Sequence, residues 1–206
     1  MSHIIFLNGC GSSGKTSIAR SLQHLSKKPW LHLGMDMLIE MMSPAYIPGG
    51  LKAKTGYFSF QESENDRGPT MVVENGPLGP QVFGALPSIA KILADFGNDV
   101  ILDEVLLDDE VLRSYVTALG AHTVYFIGIF CDFQQMQERE ILRRDRALGL
   151  SNDQMDRVHK DYQDYYDLKI NTTQRDPFEC AKEILVFQEK ISEPQGFKEF
   201  EKLYER

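Results

Sequence analysis

The eight residues Gly9-Cys10-Gly11-Ser12-Ser13-Gly14-Lys15-Thr16 constrain this chain more than any other stretch, because they satisfy G-x-x-x-x-G-K-[ST] at every fixed position. At average composition the four fixed positions match by accident in roughly one chain in a hundred of this length, and the flanking sequence lowers that figure further. The apolar run His3 to Asn8 reads as a strand entering the loop, and the helical spacing of Ile18, Leu22 and Leu25 leaves it. Glycines at 9, 11 and 14 let the backbone curl so that successive N–H groups face inward, and the positive end of the following helix adds to their pull on an anion. Lys15 suits the β- and γ-phosphates of a nucleotide, and the Thr16 hydroxyl suits Mg²⁺. A glycine turn with an ordinary helix cap needs neither residue. The pattern predicts a nucleotide-phosphate site formed by Gly9, Gly11, Ser12, Ser13, Gly14, Lys15 and Thr16.

Beyond the loop the chain alternates. Trp30 to Met35 reads as a second strand, followed by Asp36 and a helix over Met37 to Met42. Asp99 to Val105 is β-branched and apolar on both faces, which predicts a central strand. Thr123 to Phe130 supplies a fourth strand and Leu168 to Asn171 a weaker fifth, with helical stretches between them. This order predicts an α/β fold of the P-loop NTPase type, a five-stranded parallel sheet flanked by helices, with ligands gathered beyond the carboxyl ends of the strands. The rhythm breaks between Pro44 and Pro80, where five of nine prolines and six of sixteen glycines fall. Inside this insertion Tyr57 to Phe60 and Thr70 to Val73 flank a polar turn over Glu62 to Gly68, which predicts a small hairpin after the second strand's helix. From Glu193 the chain reads as a linker and a short charged helix, Phe197 to Arg206.

Composition narrows the partners. The 206 residues carry 22 Lys and Arg against 30 Asp and Glu, a formal charge of -8, so a broad nucleic-acid surface is not expected and any anion site must be a local basic island. Cys10, Cys131 and Cys180 have no CxxC pairing, which points away from a disulfide framework or zinc knuckle and toward a reducing, cytoplasmic setting. Neither a signal peptide nor a membrane-spanning run is expected. The five histidines show no metal-ligand spacing, and His24 and His32 read as surface or packing residues.

Three further features bear on chemistry. Asp103 closes the run Val100-Ile101-Leu102 at a strand's carboxyl end, where a carboxylate can hold Mg²⁺ together with Thr16. Glu104 points to the opposite face, and a turn-capping role for the pair is the alternative. Arg139, Arg143, Arg144 and Arg146 form the one other dense basic island. Spacing of four places Arg139 and Arg143 on one helical face, with Arg146 a turn beyond, so they can close over a γ-phosphate as a lid across 139–150, or simply solvate a helix beside Glu138, Glu140 and Asp145. Asp36 follows the second strand on the same rim as Lys15 and Asp103, suited either to accept a proton from a hydroxyl or to cap the next helix.

Taken together these residues resemble the chloramphenicol phosphotransferase family, P-loop kinases that use ATP to phosphorylate a hydroxyl of that antibiotic. The likeness runs from His3 to about Ile184 and is most discriminating over Pro29 to Glu40. It also covers Val100 to Val105, Cys131-Asp132 with the arginine segment, and Tyr166 to Thr173. The resemblance implies that Asp36 is the catalytic base and that Arg143 and Arg146 are lid arginines contacting phosphates, alongside Lys15, with Arg139 near the nucleotide. It implies ATP and Mg²⁺ as cofactors and a small-molecule hydroxyl as acceptor. The insertion at 44–80 differs from the family in length and composition, and it is the region expected to shape the acceptor pocket. Its aromatics Tyr46, Tyr57, Phe58 and Phe60 can wall that pocket or simply be buried. The chain is thus expected to hold one kinase domain over 1–192 and a tail over 193–206. A nucleoside triphosphatase using Glu104 or Asp36, and a nucleotide-responsive binding protein, are the competing readings.

Overall fold

The structure is a computed structural model that describes residues 2–143 and 147–204. β1 (His3–Asn8) enters the glycine-rich loop and α1 (Lys15–Leu25) leaves it; β2 (Trp30–Gly34) and α2 (Met35–Met41) follow. The insertion carries β3 (Phe58–Asn65), β4 (Gly68–Asn75) and α3 (Gly79–Phe83). The chain then runs through α4 (Leu86–Asp95), β5 (Asp99–Glu104), α5 (Asp109–Leu119), β6 (Thr123–Phe130) and α6 (Phe133–Leu142). It ends with α7 (Leu150–Gln154), β7 (Leu168–Asn171), α8 (Pro177–Lys190) and α9 (Gly196–Tyr204).

Among the described residues five strands form one parallel sheet in the order β2-β5-β1-β6-β7, as the alternation predicts. Side chains alternate across it, and both faces are covered. On one face Ile4, Phe6, Leu102 and Phe126 pack against α4, α5 and α9. On the other Ile5, Leu7, Ile101 and Ile129 pack against Ile18 and Leu22 of α1 and Ala181 and Ile184 of α8. The loops that follow β1, β2, β5, β6 and β7 therefore all emerge on one rim.

Three boundaries differ from the expectation. β2 ends at Gly34 and α2 begins at Met35, so Asp36 lies inside the first helical turn. Gly34 pairs with Asp103, and a Cβ on it would come 2.8 Å from the Asp103 carbonyl oxygen, so the strand must stop on glycine here. The hairpin is longer than predicted because Glu62 to Asn65, read as part of a turn, continue β3, leaving only Asp66 and Arg67 between the strands. The C-terminal helix begins at Gly196 rather than Phe197, and Phe197 and Phe200 of α9 are buried against Phe126.

Candidate active site

Local backbone geometry makes the loop a cradle. Ser12 takes φ 61° and Gly14 takes φ 99°, left-handed conformations that turn the peptide planes inward. Gly14 caps α1 with no side-chain bond, so the first N–H groups of that 11-residue helix face the loop. A Cβ at Gly9 would come 2.5 Å from the Ile129 carbonyl oxygen, which fixes glycine where the loop crosses β6. Inside the cradle the Ser12 and Ser13 hydroxyl oxygens are buried without a hydrogen-bond partner among the described residues. Burying an unpartnered hydroxyl is costly, so both groups are suited to a polar ligand.

Lys15 is buried, its Nζ donating to the Cys10 carbonyl at 2.9 Å and lying 3.8 Å from Asp103 Oδ1. Thr16 Oγ1 donates to Asp103 Oδ2 at 2.6 Å. His32 Nε2 lies 3.5 Å from the same oxygen, a neighbour that its position in the sequence did not suggest. Burial pushes the Asp103 carboxyl up, but the Lys15 charge and the His32 and Thr16 contacts outweigh that and hold it at about 2. Glu104 points the other way, as strand alternation requires. It is buried toward α5, where the Tyr115 hydroxyl bonds it and burial raises its carboxyl to about 7.

Asp36 is exposed and sits two residues past the Gly34–Asp103 pairing. It does not cap α2: Gly34 holds that position, without a side-chain bond. The alternative role weighed for Asp36 therefore falls away, because the helix begins one residue before it.

The arginine segment divides. Arg139 on α6 is a pin: Nη2 donates to the Thr172 carbonyl at 2.7 Å, while Nη1 reaches Thr172 Oγ1 at 3.2 Å and the Ser13 carbonyl at 3.4 Å. Thr172 in turn donates to the Ser13 carbonyl at 2.6 Å, so the β7–α8 loop is laced to the phosphate loop. Arg143 does not continue a shared helical face with Arg139. α6 ends at Leu142, and Arg143 turns to ψ 107° with its N–H still bonded to the helix. Arg144 and Arg146 lie outside the described residues. Beside Arg139 a cleft of about 250 Å³ is lined by Gly14, Ser17, Ile18, Arg139, Thr172, Arg175, Pro177 and Cys180. A second cleft of about 470 Å³ shares Ser17 and Pro177 with it and continues along α1 and α8.

Other contacts come from segments without a sequence motif. The Gly11 N–H donates to Gln154 Oε1 of α7 at 2.6 Å. Behind the loop, Asn8 Nδ2 donates to the Tyr166 hydroxyl at 2.7 Å, and His159 Nδ1 lies 2.8 Å from that hydroxyl. Burial lowers His159 to about 4, so this stacked neighbour of Phe130 is a neutral buttress. Gly11 and Asn8 meet partners 143 and 158 residues away, contacts that no local pattern announces.

The family described as chloramphenicol phosphotransferase-like protein matches residues 2–189. The Mycobacterium tuberculosis protein named "Putative O-phosphotransferase Rv2636" is 25% identical over 202 residues, covering 98% of this chain and 88% of that protein. Among solved structures, the M. tuberculosis APS kinase CysC in complex with AMPPNP and APS superposes with a TM-score of 0.59 at 18% identity, over 91% of this chain and 98% of that one. Shikimate kinase from Aquifex aeolicus gives 0.54 at 21% identity, over 91% and 96%. The five-stranded order and the loop between β1 and α1 are thus those of P-loop kinases. The chain belongs to the chloramphenicol phosphotransferase-like family, and it is a small-molecule kinase.

Proposed function

We propose that this enzyme moves the γ-phosphoryl group of ATP to a hydroxyl of a small molecule, with residues 1–192 as the kinase domain and the 44–80 insertion shaping the acceptor pocket. The observation that carries this is the pairing of the buried, unpartnered Ser12 and Ser13 hydroxyls with the Thr16–Asp103 contact one turn away. Apart from the Gly11 N–H, which Gln154 holds, the loop amides and Lys15 bind the phosphates, and the cleft between Arg139 and Pro177 receives the base. Thr16 and Asp103 offer two hard oxygen donors, the number a Mg²⁺ bound mainly by phosphates and water takes from protein. An ion held by those two residues would offset the charge of the phosphates.

In the transfer, the acceptor oxygen forms a bond to the γ-phosphorus as the bond to the β-γ bridging oxygen breaks. Asp36 takes the hydroxyl proton, and ADP leaves. Lys15 moves from the Cys10 carbonyl onto the phosphate oxygens, while Arg143 and Arg146 supply further positive charge from the lid. Against a triphosphatase that uses Glu104 to activate water, that carboxyl is buried and bonded by Tyr115 of α5, and the same reading through Asp36 is decided by the acceptor dependence tested below. The free, buried cysteines accord with a reducing cytoplasm, and no described helix is long and apolar enough to cross a membrane.

The test is to incubate the protein with Mg-ATP and a panel of chloramphenicol, other hydroxylated antibiotics and hydroxylated metabolites, following each by mass spectrometry. Gain of one phosphoryl group by a panel member supports the reading. ADP release that never depends on an added acceptor contradicts it.

A further inference from the structure

The peptide group between Cys10 and Gly11 is held at both ends. Its carbonyl accepts from Lys15 Nζ at 2.9 Å, and its N–H donates to Gln154 Oε1 at 2.6 Å. An amide that donates at one end becomes a stronger acceptor at the other, so the two bonds reinforce each other. Rotating this peptide plane swings both groups off their partners. The Gln154 carboxamide is buried, and its partner lies 143 residues away in sequence.

Two residues earlier on the same short helix, Asn152 grips the tip of the insertion hairpin. Its Nδ2 donates to the Pro69 carbonyl at 3.1 Å, its Oδ1 accepts from Arg67 Nε at 3.1 Å, and its own carbonyl accepts from Asn65 Nδ2 at 3.3 Å. The Gly149 carbonyl adds bonds from Thr70 Oγ1 at 2.8 Å and the Met71 N–H at 3.2 Å. The start of α7 is fixed in turn by Glu140, whose carboxylate accepts from the Gly149 and Ser151 N–H groups at 2.7 and 3.1 Å. The hairpin itself buries little, since Phe58 and Thr70 alone among its strand residues are buried. Its tip is therefore placed by α7 more than by the core.

We propose that Gln154 is a positioning residue for the Lys15 ammonium, and that through Asn152 the acceptor-side hairpin and the phosphate loop report to each other across α7. This rests on the phosphotransfer reading above. When phosphates draw Lys15 off the Cys10 carbonyl, the peptide it shared with Gln154 loses one anchor, and the change reaches the hairpin through five residues with no slack.

The test is amide hydrogen exchange, read by mass spectrometry on the full chain with and without Mg-AMPPNP. In the wild type, nucleotide should slow exchange over 9–16 and change that over 58–75 by about threefold or more. Gln154→Met should keep the first effect and lose the second. Gln154→Glu, which retains an acceptor for the Gly11 N–H, should keep both. A merely structural role for Gln154 predicts the same hairpin response in wild type and Gln154→Met. Hairpin exchange that ignores nucleotide while the loop is protected overturns this inference and leaves the nucleotide site standing. Protection nowhere overturns both. If Gln154→Met does not fold, Asn152→Ala, which loosens the hairpin tip from α7, should keep the loop protection and lose the hairpin response, and an unchanged hairpin response there overturns the inference.

Discussion

Thr16 Oγ1 and Asp103 Oδ2 lie 2.6 Å apart, joining the first turn of α1 to the carboxyl end of the neighbouring strand β5. Neither residue is near the other in sequence, yet the parallel register fixes the meeting, because Leu7 of β1 pairs with Asp103 itself.

Asp103→Asn should therefore separate nucleotide binding from its metal dependence. Calorimetry with AMPPNP should show affinity rising on addition of Mg²⁺ for the wild type and staying flat for the variant. The same carboxyl affects acid stability. Its folded pKa of about 2 lies below its ordinary 3.8, so the ionised form stabilises the fold above about pH 4, and that contribution fades as pH falls toward 2. Urea unfolding should show a loss on the order of 2 kcal/mol across that window that Asp103→Asn lacks.

Glu104 carries the opposite sign. Its carboxyl is raised from 4.5 to about 7, so the unfolded chain gives up this proton earlier than the folded one, and stability falls as pH rises between those values. Glu104→Gln keeps the shape without the buried charge. It should be more stable than wild type at pH 8 by roughly 1 to 3 kcal/mol and little different at pH 5, as measured by urea unfolding at each pH.

Asp36 stands exposed in the first turn of α2, a helix whose N-cap is Gly34. Asp36→Asn should leave AMPPNP affinity and melting temperature near the wild-type values while cutting transfer at least ~10²-fold, the scale of a lost general base. Unchanged transfer would remove the residue from the chemistry.

Arg139 ties Thr172 and Ser13 together through a planar fork. Arg139→Lys cannot reproduce a two-nitrogen contact, so both Arg139→Lys and Arg139→Ala should weaken AMPPNP binding by about tenfold or more and lower the melting temperature. Recovery of wild-type affinity in the lysine variant would show that charge alone matters.

How far the sequence reaches is visible in these same residues. The phosphate loop is legible because its chemistry is written in eight consecutive positions, and β1 and β6 are legible because strands buried on both faces are almost wholly apolar, whereas the edge strand β7, with Lys169 and Asn171 exposed, reads more weakly. The hairpin is only half legible: Gln61 to Asn65 form a strand held by backbone pairing and the grip of α7, and being exposed they carry no apolar alternation. Gln154 is silent in the sequence, and although His32 and Thr172 lie in stretches that resemble the family, neither announces its contact at the site. Each reaches the site by tertiary contact, and a lone histidine, glutamine or threonine has no spacing to betray it. The helical reading of the arginines runs too far because charge spacing persists through Arg143, whereas the backbone leaves the helix there.

The fate of the γ-phosphorus tests the whole account most directly. Followed by phosphorus NMR in Mg-ATP with the acceptor panel, wild-type protein should produce a phosphate monoester in step with ADP, and Lys15→Ala should produce neither. Inorganic phosphate as the sole product, formed at a rate indifferent to every hydroxyl offered, would contradict it.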